Sequence, residues 1–401
     1  MAETTRDDAP YVIISADTHA GGSLQAYRAY LDHEHQQRFD QWRGAYKNPQ
    51  RKHIGSKKHK NWDDEERIGD MEAEGVVGEI IFPNTVPPFF DTSVLICGNP
   101  SPAQYPLWRE GIRAHNRWLV DWCAEHPERR AGIGLIHLND IDDAIEDVQW
   151  IAKQGLRGGI LLPHVPESHL LPLYAPDYDR LWAVCQDLDV VINQHGGTGS
   201  PDYGRYATSL PIRLVETSFF STRSYTHLIL GGVFERFPKL RYILTEAGCA
   251  WVPGTLENLD QYWRMIGRGS VGEIEFAGDA ATPEPPSFYA RRNCWYGASF
   301  PSPREIRDRD VVGVDRILWG SDYPHYEGTF PHTRKSLRRT FHDVDPVEVR
   351  AMLGENAARF YDFDLEALRA IAEPVGPRPS EVARPLTPEE MPTDSASGAF
   401  R

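Results

Sequence analysis

Eight short runs of apolar and β-branched residues recur along the chain: YVIISAD (11–17), GEIIFP (78–83), AGIGLIHL (131–138), GGILLP (158–163), DVVINQH (189–195), LRYILTE (240–246), NCWYGASF (293–300) and RILWGSD (316–322). Each is nearly continuous in its apolar character rather than alternating, which is the pattern of parallel strands buried on both faces. Between most of them apolar residues recur at helical spacing, as in 107–129, 142–155 and 178–189. Strands alternating with helices over residues 11–322 predict an α/β protein built as a (β/α)8 TIM barrel. The rival is a doubly wound open sheet, whose usual marker is a Gly-x-Gly-x-x-Gly turn after the first strand. Here that place holds ADTHAGG.

The connection between the first two strands is too long for a simple crossover and carries helical patterns around 24–43 and 62–74. It predicts a long helical insertion, residues 20–77, over the barrel mouth. A second long connection, 196–239, is a candidate lid. Residues 11–373 thus form one domain, and 374–401, rich in Pro, Ser and acidic side chains, read as a flexible tail or as an arm wrapping a partner subunit. No internal repeat at a solenoid period is present.

Composition narrows the function classes. The 401 residues carry a formal charge of −15, which disfavours a broad nucleic-acid surface. No apolar run approaches the roughly 18–20 residues of a membrane span, and the start MAETTRDDAP is acidic, so a soluble cytoplasmic protein is expected. The five cysteines are widely spaced, which argues against a disulfide framework or a zinc ribbon. One basic run, KNPQRKHIGSKKHK (47–60), stands out. It reads as a solvated loop or as a clamp in which Lys57, Lys58 and Lys60 hold an anionic substrate such as a phosphate-bearing thioester.

In a barrel the C-terminal strand ends converge on one mouth. Read in order, they present Asp17 and His19, then His164, His195, Glu246 and Asp322. Asp17 and His19 are two residues apart on a strand end, the spacing that puts both side chains on one side and within reach of one metal ion. Burying so many acidic and imidazole groups unpaired is costly, and a divalent cation removes that cost. A serine hydrolase would lack its Gly-x-Ser-x-Gly elbow here. Cys249, in EAGCAW, reads as a packing residue rather than a nucleophile.

ISADTHAGG, NQHGG, LRYILTEAGCAWVP, ILWGSDYPH and LGENAARFY resemble, in order and spacing, the motifs of the amidohydrolase-related family, in the branch that includes aminocarboxymuconate semialdehyde decarboxylase. The resemblance runs over residues 11–363. It implies a (β/α)8 barrel with a divalent metal, and either hydrolysis or nonoxidative decarboxylation. The implied ligands of the first metal are Asp17, His19, His195 and Asp322. Two departures matter: Asp17 replaces the first His of a His-x-His pair, and Glu246 stands where the decarboxylases have a water-activating His. Two His and two Asp already neutralise one divalent ion. Glu246 is therefore either a nearby acid/base or a ligand to a second ion, and the mixed O and N donors suit Zn, Fe or Mn.

The expected activity is a metal-dependent hydrolase that turns an activated water on an amide, ester or thioester. In it Asp322 accepts the water's proton, Glu246 orients that water, and His164 and His325 bind the tetrahedral intermediate. Trp251 and Tyr323, with Trp42, Phe89 and Phe90, would face a bulky apolar group. The alternatives are a nonoxidative decarboxylase or hydratase of an aromatic or unsaturated acid, and a catalytically silent barrel used as a scaffold. The expected partners are a small molecule and further copies of the chain, as a dimer or larger, with no nucleic acid and no membrane.

Overall fold

The computed structural model describes residues 8–47, 58–163 and 170–400. The barrel strands are β1 (Ile13–Ala20), β2 (Val76–Pro83), β3 (Arg130–Gly132), β4 (Gly134–Leu135), β5 (Ile160–Leu161), β6 (Ile192–His195) and β7 (Tyr242–Thr245). A two-stranded antiparallel hairpin, β8 (Ser270–Val271) and β9 (Ile274–Glu275), lies outside the barrel, which resumes with β10 (Cys294–Ser299) and β11 (Ile317–Gly320).

All barrel pairings are parallel, in the orders β1-β2-β3 and β4-β5-β6-β7-β10-β11. β3 and β4 are one strand interrupted at Ile133, whose N–H donates to the Ile81 carbonyl (3.1 Å) while that of Gly134 donates to Gly159 (2.8 Å). At the other seam Asp322 N–H donates to Asp17 O (2.9 Å) and His19 N–H to Tyr323 O (2.7 Å), so the chain just past β11 pairs with β1. Backbone hydrogen bonds therefore run around all eight strand positions, as the eight apolar runs predict. The strands are buried along their length because helices cover the outside and side chains fill the inside. Gly320 allows the last seam to close: a Cβ there would stand 2.6 Å from the Cβ of Asp17.

The insertion after β1 is helical, with helices His33–Ala45 and Asp64–Glu74. Asp63 caps the second by accepting from Glu66 N–H (3.1 Å), and Gly75, at φ 81°, ends it in the left-handed region. This helix does more than cover the mouth. Its Arg67 is fully buried and reaches Glu79 of β2 through Nε (3.0 Å), while its Nη1 donates to the backbone carbonyl of His19 (2.9 Å). Glu79 also accepts from Thr18 Oγ1 (2.9 Å) and from Arg130 Nε of β3 (3.3 Å). Burial alone would push the Glu79 carboxyl up in pKa; Arg67, Arg130 and Thr18 overcome it and hold the group below its ordinary range.

Residues 374–400, expected as a flexible tail, have little regular structure of their own but are held on the barrel surface. Glu381 pairs with Arg334 (3.1 Å), Glu390 with Arg338 (2.8 Å) and Asp394 with His332 (2.9 Å), and Ala399 is fully buried. Pro and Ser content signals the lack of a core within the segment, and the barrel supplies one. Among the described residues no helix is long and apolar enough to cross a membrane.

Removing one partner of a buried ion pair strands the others. Glu79→Ala, which leaves Arg67 and Arg130 facing each other, is expected to destabilise the fold by about 3–5 kcal/mol in urea unfolding. A loss below about 1 kcal/mol would show that the network contributes nothing net.

Candidate metal centre

The ends of β1, β6 and β11 bring Asp17, His19, His195 and Asp322 together, all 0–1% exposed. His19 Nε2 lies 3.3 Å from Asp17 Oδ1 and 3.2 Å from Asp322 Oδ1, and His195 Nε2 lies 3.3 Å from the same Asp17 oxygen. The two rings meet edge to face with centroids 5.0 Å apart. Both imidazoles turn Nδ1 away toward a backbone carbonyl: Pro83 for His19 (3.4 Å) and Gly196 for His195 (2.7 Å). That leaves Nε2 as the inward donor atom, the usual disposition of a metal-binding histidine. His19 Nε2 is buried with no hydrogen-bond partner, an arrangement that costs stability unless a cation takes the lone pair. Asp17, His19 and His195 offer ligand atoms that all lie within 4.8 Å of one another, and Asp322 joins them through His19, in a second such group with His325.

The outer contacts are as specific. Ser299, at the end of β10, donates to Asp17 Oδ2 and fixes which oxygen faces the imidazoles. His325 Nδ1 lies 2.7 Å from Asp322 Oδ1, its Nε2 lies 3.3 Å from Asn84 Oδ1, and its ring stacks on that of His19 at 4.1 Å. With its side chain 28% exposed, His325 is the imidazole of the group that reaches the open side.

Glu246 is not drawn into the innermost group. Its Oε2 lies 3.4 Å from His195 Nδ1, the nitrogen turned outward, and its side chain is 22% exposed. It forms a second set of carboxylates with Asp322 and Glu327, one oxygen of each lying within 4.8 Å of the others. Glu246 and Asp322 both adopt left-handed backbone conformations, φ 57° and 58°, which cost a non-glycine residue about 1–3 kcal/mol and recur at functional sites.

The electrostatics call for positive charge. Burial opposes ionisation of Asp17, but His195 and His19 overcome it and hold the carboxyl well below its usual range. Asp322 is lowered in the same way, with His325 as the main force against burial. Glu246 goes the other way: burial, and then Asp322 and Asp17, raise its pKa well above normal despite His195. Three carboxylates this close ionise together only beside a cation.

Several expected site residues stand elsewhere. Lys60, expected at the mouth as an anion clamp, is instead 6% exposed and paired with Glu66 (2.8 Å) and Asp70. Its charge is spent within the insertion, because helix Asp64–Glu74 presents a run of acids to it. Tyr323 is likewise buried, and its hydroxyl donates to Asp70 (2.7 Å) rather than facing a substrate. Trp251 donates to Gly248 O (2.9 Å) and packs edge-on against Tyr225, as a wall rather than a free face. Cys249 is fully buried with its thiol pKa pushed well up by burial, an inert group. Lys57, the Lys58 side chain and His164 lie outside the described residues. Ser299, Asn84, Glu327, Arg67 and Glu79 were missed by sequence reasoning. Of these, Ser299 near the end of the run NCWYGASF and Glu79 inside the run GEIIFP carried a readable signal, as polar residues within apolar runs.

Comparison with known proteins agrees with this geometry. A family model described as amidohydrolase matches residues 95–363. The chain belongs to the amidohydrolase family. It is 24% identical over 257 residues to a gamma-resorcylate decarboxylase of Rhodococcus jostii, covering 58% of this chain and 73% of the relative. It is 20% identical over 361 residues to a 2-amino-3-carboxymuconate-6-semialdehyde decarboxylase of Caenorhabditis elegans, covering 73% and 85%. A solved 5-carboxyvanillate decarboxylase from Novosphingobium aromaticivorans, complexed with manganese and 4-hydroxy-3-methoxy-5-nitrobenzoic acid, shares the fold with a TM-score of 0.64. That likeness covers 90% of this chain and 100% of the other at 18% identity.

Protein purified without added metal is expected to carry about one equivalent of divalent ion, held where Asp17, His19 and His195 converge. His19→Ala should lower that content at least tenfold in elemental analysis, whereas Asn84→Ala should leave it unchanged. Full metal content in His19→Ala would remove His19 from the ligand set.

Proposed function

We propose that this protein is a metal-dependent nonoxidative decarboxylase of an aromatic or unsaturated carboxylic acid, with Asp17, His19, His195 and Asp322 holding the cation. The observation that carries the reading is the His325–Asp322 pair, a proton donor hydrogen-bonded at 2.7 Å to a cation-binding carboxylate and partly open to the mouth. The named activities of the two curated relatives support it, and the solved relative makes manganese the first metal to test.

A divalent ion held by these residues would supply Lewis-acid polarisation of the bound acid. This chain's own residues handle the proton. His325 gives its proton to the carbon that bears the carboxylate, and an electron-donating substituent on the substrate supplies the electron pair for the new C–H bond. The C–C bond to the carboxylate then breaks, its pair restores the conjugated system, and carbon dioxide leaves. Asp322 keeps Nδ1 of His325 occupied, so Nε2, oriented by Asn84 Oδ1 at 3.3 Å, is the nitrogen that gives the proton. His325 regains a proton from solvent across its exposed edge. Burial opposes the charged form of His325, yet Asp322, Glu327 and Glu246 raise its pKa to about 10.

Hydrolysis, the first expectation from the sequence, uses the same residues to different ends and ranks second. It leaned on Glu246 standing where the decarboxylases have a histidine, and the named activities of the two relatives favour decarboxylation instead. The two readings part on products. A panel of hydroxybenzoates, unsaturated acids, esters and thioesters, run in D2O with manganese, is expected to give carbon dioxide and one deuterium at the vacated carbon of an acid substrate. Cleavage of esters or thioesters with no carbon dioxide from any acid would overturn the proposal. His325→Asn should lower kcat by roughly 10²–10⁴ while metal content stays at the wild-type level. Unchanged kcat would take the proton donor away from His325.

A further inference from the structure

His137 lies two residues beyond β4, at the mouth end of a barrel strand and outside the cation group. Its side chain faces the barrel interior. A Cβ at Gly134 would stand 2.5 Å from Ile151 on a covering helix, so Gly134 faces outward, and strand alternation turns Leu135 and His137 inward. Leu135 pairs with Leu161, and Leu161 with Asn193. Carried two residues on, that register sets His137 level with His195. The strand β5 stands between them, which places the two backbones roughly 10 Å apart at ordinary strand spacing.

The imidazole is 7% exposed and walled by the rings of Phe90 and Trp108, with centroids 5.9 and 6.4 Å away. Its Nε2 is buried and, among the described residues, has no hydrogen-bond partner. With Leu135, Leu161 and Thr198 it lines a cavity of about 30 Å³, room for about two water-sized groups. The Thr198 hydroxyl donates to the His195 carbonyl (2.5 Å), so one wall of the cavity is tied to a cation-binding residue. A buried polar atom left unpaired is costly, and an incoming polar group relieves that cost. Burial, helped by the Arg109 charge, pushes the imidazole pKa down to about 3. The ring is therefore neutral at pH 7, with one N–H and one lone pair, which suits a hydroxyl better than a carboxylate.

We propose that His137 is a specificity-determining residue, whose Nε2 hydrogen-bonds a hydroxyl on the ring edge opposite the carboxylate of an aromatic acid bound at the cation. The inference rests on the decarboxylase reading above and narrows its substrate class to acids of the 4-hydroxybenzoate type. The size of the cavity admits a hydroxyl and leaves no room for a second carboxylate beside the ring edge. A hydroxyl there is conjugated with the carbon that bears the carboxylate. The group that His137 holds is thus also one that can supply the electron pair when that carbon takes its proton.

Isothermal titration calorimetry on the manganese-loaded full chain tests it, with 4-hydroxybenzoate and benzoate as probes that need not react. The wild type is expected to bind 4-hydroxybenzoate at least tenfold more tightly than benzoate. His137→Leu should abolish that preference while leaving benzoate affinity and manganese content unchanged, and His137→Gln, which keeps a polar group in place, should restore part of it. Should the leucine variant fail to fold, His137→Met is the second apolar variant, with the same expected loss. Equal binding of the two acids by the wild type, no binding of either, or a preference that survives the apolar substitution overturns the inference and leaves the cavity to water. The decarboxylase reading falls on a different result, the absence of carbon dioxide from every acid in the panel above.

Discussion

The site depends on how the barrel closes. β11 leads into the segment that pairs with β1 through Asp322 N–H to Asp17 O and His19 N–H to Tyr323 O. These two backbone bonds bring together two carboxylates separated by 305 positions in the sequence numbering and set one imidazole between them. Closing the sheet thus creates the charge problem that a cation solves. The same seam needs Gly320, since a side chain there would occupy the place of Asp17. Fold closure and ligand placement are one event, and a substitution that loosens the seam would disturb both.

The second constraint is that the β1 end must hold its shape while surrounded by buried charge. Arg67 from the insertion grips the His19 carbonyl and the Glu79 carboxylate, and Thr18, between the two β1 ligands, bonds Glu79 on the opposite side from the cation. Alternation along the strand makes this division natural: Asp17 and His19 face the mouth while Thr18 faces the buttress. The long insertion is therefore part of the metal centre's foundation. Its buried arginine explains why a segment of mostly polar residues folds against the barrel at all.

Much of this was legible in the sequence, for identifiable reasons. Eight apolar runs mark eight strands because strands buried on both faces have little room for polar residues, and the acids and imidazoles that close the runs sit at the mouth. Asp17, His19, His195 and Asp322 were found that way, and the structure gathers them. What stayed hidden depends on side-chain partners rather than on position along an element. Lys60 looked like a free cation within a basic run, but Glu66 and Asp70 on the neighbouring helix take up its charge. Tyr323 follows Asp322 directly and yet turns its hydroxyl to Asp70. Arg67 lies in no motif, and Glu79, a lone acid inside the run GEIIFP, does not name its partner; their pairing is visible only once β1, β2 and the insertion are packed.

Glu246 is where the sequence and structure readings differ most usefully. In the sequence it competes for a place among the ligands, since it ends a strand as they do. In the structure it touches the outward nitrogen of His195 and joins Asp322 and Glu327 on the open side. A carboxylate there opposes a second negative group and favours a proton or a cation on the open side of the group. Its strained backbone, shared with Asp322, is consistent with a position fixed for chemistry rather than for packing. A glutamate at this strand end leaves Asp17, His19 and His195 gathered and alters the open side of the group, the kind of local change by which one barrel serves different reactions.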